Sequence, residues 1–148
     1  MDTSRRCTTL WRFRSLVLIC VGMVLLTVTS APAAADEAQV RVKRAKQLLK
    51  DARQYPKGCS EFVCEVINRS GEDANTLMGL NPKYVGVNGE YRNLNPGDVV
   101  GWSGTPHGHV AIYIGERDIK FIDVHEVGQK PRSVKGYGDQ KLFKSSRY

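Results

Sequence analysis

The sequence has few cysteines, and their positions exclude a disulfide-stapled scaffold. Of the four in the chain, Cys7 and Cys20 fall within the first 35 residues, and only Cys59 and Cys64 lie beyond them. Two cysteines are too few to hold a small domain together by disulfides. This pair also lies five residues apart in what reads as one helix, where the Cα spacing exceeds disulfide reach. We therefore expect two free thiols, most simply one catalytic and one buried and apolar.

Metal-binding and nucleic-acid-binding patterns are also lacking. The spacing of the three histidines and of the two remaining cysteines matches no zinc-ligand motif, so we expect no metal and no cofactor. The formal net charge is +7, of which +4 remains beyond residue 35, but no aromatic-plus-basic pattern accompanies it. Nucleic acid is therefore not an expected partner. A mild positive charge suits anionic cell-wall polymers and equally suits plain solubility.

The first 35 residues have the order of a secretory signal peptide. A basic stretch is followed by an apolar run over residues 16–28 and by small residues that end at Ala35. An apolar run of about 13 residues is shorter than the roughly 20 that a membrane-spanning helix needs, so an uncleaved anchor is the weaker alternative. We expect residues 1–35 to be removed and residues 36–148 to form one secreted domain. This domain is expected to be extracellular, or periplasmic in a bacterium, monomeric, and without stable membrane association.

The remaining sequence reads as helices followed by strands. Helical periodicity predicts an amphipathic helix over residues 38–53 and a second helix that begins at about Cys59. Residues 70–96 predict a long surface excursion that faces substrate, with a short helical patch near residues 74–78. Strands are predicted over the segments 98–102, 109–114, 119–124 and 140–143. This order predicts an α+β domain with N-terminal helices packed on a small antiparallel sheet.

Cys59 is the expected nucleophile because it opens the second predicted helix. Unpaired backbone N–H groups and the helix dipole favour a thiolate in a first helical turn. The N–H groups of Cys59 and Ser60 are also placed to stabilise an oxyanion. Cys64 lies deeper in the same helix and fits the alternative of a buried structural cysteine.

His109 is the expected base, and the next predicted strand offers two residues to orient it. His109 opens an apolar strand directly after a glycine-bearing stretch, whereas His107 reads as a surface residue. Asp123 and His125 share one face of the next strand, since strand side chains alternate. A carboxylate between apolar neighbours is costly unless it is paired, which favours Asp123 as the third residue. His125 remains the alternative.

Three segments together resemble the NlpC and CHAP group of papain-like peptidoglycan peptidases. They are GCSEFV at residues 58–63, NPGDVV at residues 95–100 and GHVAIYIG at residues 108–115, in the order in which that group has its Cys, its Pro-Gly-Asp and its His. Within the group, the sequence is most similar to the second family of type VI secretion amidase effectors. It is also similar to the secreted, animal-domesticated relatives of that family, such as those of ticks.

The resemblance implies a papain-like fold and an antibacterial cysteine hydrolase whose partner is bacterial peptidoglycan. Such enzymes cut amide bonds of stem peptides or cross-links through a thioester. Cys59, His109 and Asp123 fall on the group's catalytic positions. Tyr55 falls where the group often has a tyrosine that contacts substrate or oxyanion, although a packing tyrosine before a turn is an equal alternative. The sequence departs from the group at Gly58, where Asp is usual, and at Glu61, where Gly is usual.

Two other functions remain open from the sequence. The first is an inactive wall-binding module of the same fold, which a fast reaction of Cys59 with a thiol probe would argue against. The second is a papain-like acyltransferase, in which the thioester passes to an amine or a hydroxyl instead of water. Such acceptors usually require a membrane or lipid context, and the chain has no second apolar segment.

Overall fold

A computed structural model describes residues 31–102 and 108–148 of the chain. The described residues form three helices, which are α1 (Ala31–Asp51), α2 (Cys59–Val66) and α3 (Ala74–Met78). They also form seven strands: β1 (Lys83–Val87), β2 (Glu90–Tyr91), β3 (Val99–Trp102), β4 (His109–Tyr113), β5 (Phe121–Asp123), β6 (Arg132–Val134) and β7 (Leu142–Lys144).

The strands form one antiparallel sheet in the order β2-β1-β7-β3-β4-β5-β6. The last strand, β7, lies between β1 and β3, so the C-terminal segment joins the early hairpin to the centre of the sheet. The combination of a few helices with an antiparallel sheet confirms the α+β class expected from the sequence.

Apolar side chains cover both faces of the central strands. On the helix side, Val110 and Ile112 of β4 belong to the same buried cluster as Phe62 of α2. On the opposite side, Ala111 of β4 belongs to a second cluster with Phe121 of β5. Because successive strand residues point to opposite faces, a strand buried on both sides reads as a continuous apolar run. This explains the uninterrupted apolar sequence that follows His109.

Three strands were not expected from the sequence. Residues 70–96 were predicted as a surface excursion with one helical patch; the helix is present as α3, but the segment also contains β1 and β2. Those two strands are joined by Asn88 and Gly89, whose φ angles of 54° and 82° both lie in the left-handed region. Asn-Gly in that conformation is the preferred two-residue hairpin turn, so the sequence carries a local signal for this hairpin. The third unexpected strand is β6.

The first helix begins earlier than expected, at Ala31 instead of residue 38, and ends at Asp51. Its first residues therefore precede the expected cleavage point after Ala35. The rest of the expected signal peptide, residues 1–30, lies outside the described residues. Among residues 31–102 and 108–148, no helix is both long and apolar enough to cross a bilayer.

Candidate active site

The start of α2 is shaped by the two residues that depart from the resembled group. Gly58 is the N-cap, with φ 73° and ψ −143°, a conformation that is essentially restricted to glycine. It provides no side chain to cap the helix. Glu61, in the first turn, instead accepts a hydrogen bond of 2.8 Å from the backbone N–H of Lys57. The loop is thus held from inside the helix, and no N-cap side chain competes for the first-turn N–H groups next to Cys59.

Cys59 is half-buried at this helix start, beside the first residues of β4. Burial by itself raises the pKa of its thiol, but the imidazole of His109 and the backbone N–H groups of Val110 and Ser60 outweigh burial and lower the pKa. A thiol with a lowered pKa is more fully ionised at neutral pH, which is the condition for a cysteine nucleophile.

His109 is held between Cys59 and Asp123. Its Nε2 lies 2.9 Å from Oδ2 of Asp123, and the two side chains are 7% and 0% exposed. Because Nε2 faces the carboxylate, Nδ1 is the ring nitrogen left for the thiol. Burial by itself lowers the pKa of His109, but the hydrogen bond to Asp123 and the interaction with Cys59 raise it to about 9. This raised pKa favours the protonated imidazole beside the thiol at neutral pH.

Two residues that the sequence did not single out complete the surroundings of Asp123. Arg132 donates from Nε to Oδ1 at 2.8 Å, and the hydroxyl of Tyr137 donates to Oδ2 at 3.1 Å. The β5–β6 register places Arg132 directly opposite Asp123. Burial raises the pKa of Asp123, but its bonds from His109 and Arg132 lower it overall. Because β6 was not predicted, nothing in the sequence indicated this pairing.

Trp102 packs against the imidazole from the neighbouring strand. It pairs with His109 across β3 and β4, and the two ring centroids are 4.2 Å apart with an interplanar angle of 31°. Tyr137 packs on the same indole, at 4.3 Å between centroids. This aromatic contact restricts rotation of the His109 ring away from Asp123.

A comparison of this chain with family models, with curated proteins and with solved structures found no match.

The structure separates the remaining candidates. Ser60 is half-buried and contributes its backbone N–H beside the Cys59 thiol. His125 is exposed and lies beyond the end of β5, with its ring centroid 6.2 Å from that of His109. It is Asp123 that accepts the hydrogen bond from Nε2 of His109. Cys64 is buried, and its thiol contacts the carbonyl oxygen of Glu72 at 3.5 Å. His107 lies outside the described residues.

Tyr55 does not lie on the surface of the site. Its side chain is fully buried in the main core, where it packs edge-on against Phe62 at 5.5 Å between ring centroids. Arg53 covers the ring at 4.8 Å. A substrate cannot reach Tyr55 without displacing these neighbours, so the substrate-contacting role suggested by the resemblance does not fit this geometry. The packing alternative does.

A cleft of about 160 Å³ lies beside His109. Its lining includes Trp102, Asn75 and Met78, so α3 forms part of one wall. Gly101 of β3 also lines the cleft, and a Cβ there would come within 2.3 Å of the carbonyl oxygen of His109. In the part of the chain that the structure describes, no three His, Cys, Asp or Glu side chains converge closely enough to hold a metal ion.

Proposed function

We propose that this protein is a secreted, antibacterial cysteine amidase or endopeptidase of papain-like fold that hydrolyses amide bonds in bacterial peptidoglycan. One observation carries the proposal: a thiol at a helix start faces an imidazole whose far nitrogen is 2.9 Å from a buried carboxylate. A nucleophile, a base and an orienting group that contact one another in this order are the elements of covalent acyl transfer. The packing of α2 against the antiparallel sheet supports the papain-like assignment.

In the proposed reaction, the Cys59 thiolate attacks the carbonyl carbon of a peptide bond. The carbonyl oxygen becomes an oxyanion, which the backbone N–H groups of Cys59 and Ser60 stabilise. As the intermediate collapses, protonated His109 gives its proton to the departing amine, and a thioester remains on Cys59. Neutral His109 then takes a proton from water, and the resulting hydroxide attacks the thioester. This step releases the carboxylic acid and restores the thiolate and the imidazolium.

The choice of peptidoglycan as substrate rests on the sequence resemblance. It is consistent with the signal-peptide pattern of residues 1–35 and with the net charge of +4 beyond them, since bacterial walls are anionic. The cleft beside His109 provides a surface on which a stem peptide can lie.

The proposal is tested by incubating the protein with purified sacculi and determining the masses of the released muropeptides. The native protein should release fragments cut at one type of amide bond. Cys59→Ala should release none above background because it lacks the nucleophile. Cys64→Ala is the matched control: it removes a buried thiol from the same helix and should retain activity at a modest cost in stability.

Two results would contradict the proposal. Release of stem peptides by Cys59→Ala at the native rate would remove Cys59 from the mechanism. Tight binding of the native protein to sacculi without any release, together with slow reaction of Cys59 with a thiol probe, would favour the inactive wall-binding module.

A further inference from the structure

Asp123 is in contact with more groups than the orientation of one imidazole requires. The carboxylate has no exposed surface, and its Oδ1 accepts from Nε of Arg132 at 2.8 Å. Its Oδ2 is shared by Nε2 of His109 at 2.9 Å, the hydroxyl of Tyr137 at 3.1 Å and Nη2 of Arg132 at 3.4 Å. A single buried negative charge is thus shared between two cations, the imidazolium of His109 and the guanidinium of Arg132.

The strength with which His109 holds its proton depends on how much of this charge it receives. A carboxylate that faced only the imidazole would stabilise the imidazolium with its full charge. The guanidinium, which donates to both carboxylate oxygens, reduces that stabilisation and also fixes the plane of the carboxylate through its two donors. Both effects require a positive, planar group at residue 132.

We infer that Arg132 is a positioning residue that holds the Asp123 carboxylate and takes up part of its charge, and so sets the upper pH at which His109 loses its proton. This inference deepens the proposed function and rests on its triad. It concerns protonation of His109, so it can be tested without any substrate.

The other groups around the triad leave Arg132 as the cation opposite His109. His109 faces Cys59 of α2, and its ring lies 6.2 Å from that of exposed His125, which follows β5. On the β6 side, Tyr137 adds a neutral hydroxyl, whose pKa burial and the charge of Asp123 raise well above its ordinary value. Glu126 adds a carboxylate whose charge acts on Arg132. Since the Arg132 side chain is 42% exposed, solvent screens part of its charge, and we expect a moderate effect.

A purely structural role for Arg132 would have a different consequence. Arg132 and Asp123 are directly opposed in the β5–β6 pair, so the contact also links two strands. Loss of a strand contact would lower stability but would leave the titration of His109 unchanged in molecules that remain folded. The position of the His109 titration on the pH axis therefore separates the two roles.

The test is a pH titration of the histidine ring signals by two-dimensional NMR on the full chain, which has only three histidines. The native protein is compared with Arg132→Gln, which removes the charge, and with Arg132→Lys, which keeps the charge but loses the planar donor pair. Lys135→Gln is the control, because it removes an exposed charge from the same segment of chain. The dispersion of each spectrum shows whether the variant is folded. His107→Gln and His125→Gln each remove one histidine signal, which leaves that of His109 by elimination.

In Arg132→Gln, the pH at which His109 loses its proton should rise by about half a unit to one unit. The His109 titration of Arg132→Lys should lie between that of Arg132→Gln and that of the native protein. If Arg132→Gln does not fold, the comparison of Arg132→Lys with the native protein decides the question. Lys135→Gln should coincide with the native curve. A folded Arg132→Gln that titrates like the native protein would overturn the inference, and so would an Arg132→Lys that moves as far as Arg132→Gln or not at all.

This outcome is independent of the peptidoglycan assay. A shifted titration in a protein that cuts no sacculi would retain the role of Arg132 and refute the substrate. An unshifted titration in a protein that does cut sacculi would refute the role of Arg132 and retain the substrate.

Discussion

Asp123 and His125 could not be separated by the sequence pattern alone. Strand alternation gives both residues the same face, but this holds only while the strand continues. β5 ends at Asp123, and His125 lies beyond it on the surface. The cost of an unpaired buried carboxylate was the better guide, because it required partners for Asp123. It could not identify those partners, since Arg132 and Tyr137 come from segments without a recognisable motif.

Replacement of Asp123 by Asn is expected to lower turnover by about two orders of magnitude or more, with little change in substrate affinity. The amide keeps the shape of the side chain but lacks the charge that stabilises the imidazolium. His125→Ala is the matched comparison and should lower turnover only slightly. The measurement is the rate of muropeptide release as a function of substrate concentration, with folding checked by circular dichroism. Near-normal turnover in Asp123→Asn beside a collapse in His125→Ala would transfer the orienting role to His125.

The titrations of Cys59 and His109 define an expected pH profile. In the proposed mechanism, activity requires an ionised Cys59 and a protonated His109, so we expect it to rise with pH as the thiol loses its proton. This rise should lie at lower pH than for an ordinary thiol, because the pKa of Cys59 is lowered. Activity should fall again as His109 loses its proton, near its raised pKa of about 9. The profile is measured as kcat/KM, and a fall centred at the ordinary histidine pKa of about 6.5 would contradict the ion pair.

At the scale of elements, the start of α2 depends on a glycine in a conformation that other residues avoid. Gly58→Ala should lower the free energy of unfolding by about 1–3 kcal/mol through backbone strain. It should also slow alkylation of Cys59, because a displaced helix start moves the thiol away from the His109 imidazole and the backbone N–H groups that lower its pKa. Both quantities can be measured on one preparation, by denaturant unfolding and by site-resolved mass spectrometry.

Gly71→Ala is the control for this prediction. Gly71 has the same φ of 73° but lies in a loop where a Cβ meets no atom within 4 Å. It should cost some stability while Cys59 reacts at the native rate. Equal slowing in both variants would mean that backbone strain alone, and not the position of Gly58, determines the alkylation rate of Cys59.

The elements that were predictable are those whose pattern is local and regular. α2 follows a break at Gly58, and β3, β4 and β5 are short apolar runs between glycine-bearing turns. β1, β2 and β6 are partly exposed, so they lack the continuous apolar run of the predicted strands. β7 was expected near residues 140–143 and lies at Leu142–Lys144, but its place between β1 and β3 is a long-range pairing that no local pattern encodes.

At the scale of the whole molecule, the C-terminal segment holds one wall of the cleft. Beyond β7, the hydroxyl of buried Ser145 donates to the carbonyl oxygen of Leu77 in α3 at 2.7 Å. Arg147 and Tyr148 both bind the carboxylate of Glu72, just before α3. Since Asn75 and Met78 of α3 line the cleft, these C-terminal contacts support one wall of the cleft beside His109.

The secreted form is expected to begin at Asp36 or within a residue or two of it. Residues 1–35 have the charge, apolar run and small-residue end of a signal peptide, and the apolar run is too short for an ordinary membrane anchor. N-terminal sequencing of the exported protein measures this directly. Recovery of a form that retains Met1 from the membrane fraction would support the anchor instead.

In the proposed mechanism, Cys59 forms a covalent acyl-enzyme with a peptide carbonyl. The most direct measurement is a rapid acid quench during turnover of a stem-peptide substrate, followed by digestion and mass mapping of the acylated residue. We predict an acyl group on the peptide that contains Cys59, and none on Cys64 or in Cys59→Ala. Substrate cleavage at the native rate without any acylated Cys59, under conditions that trap a thioester, would contradict it.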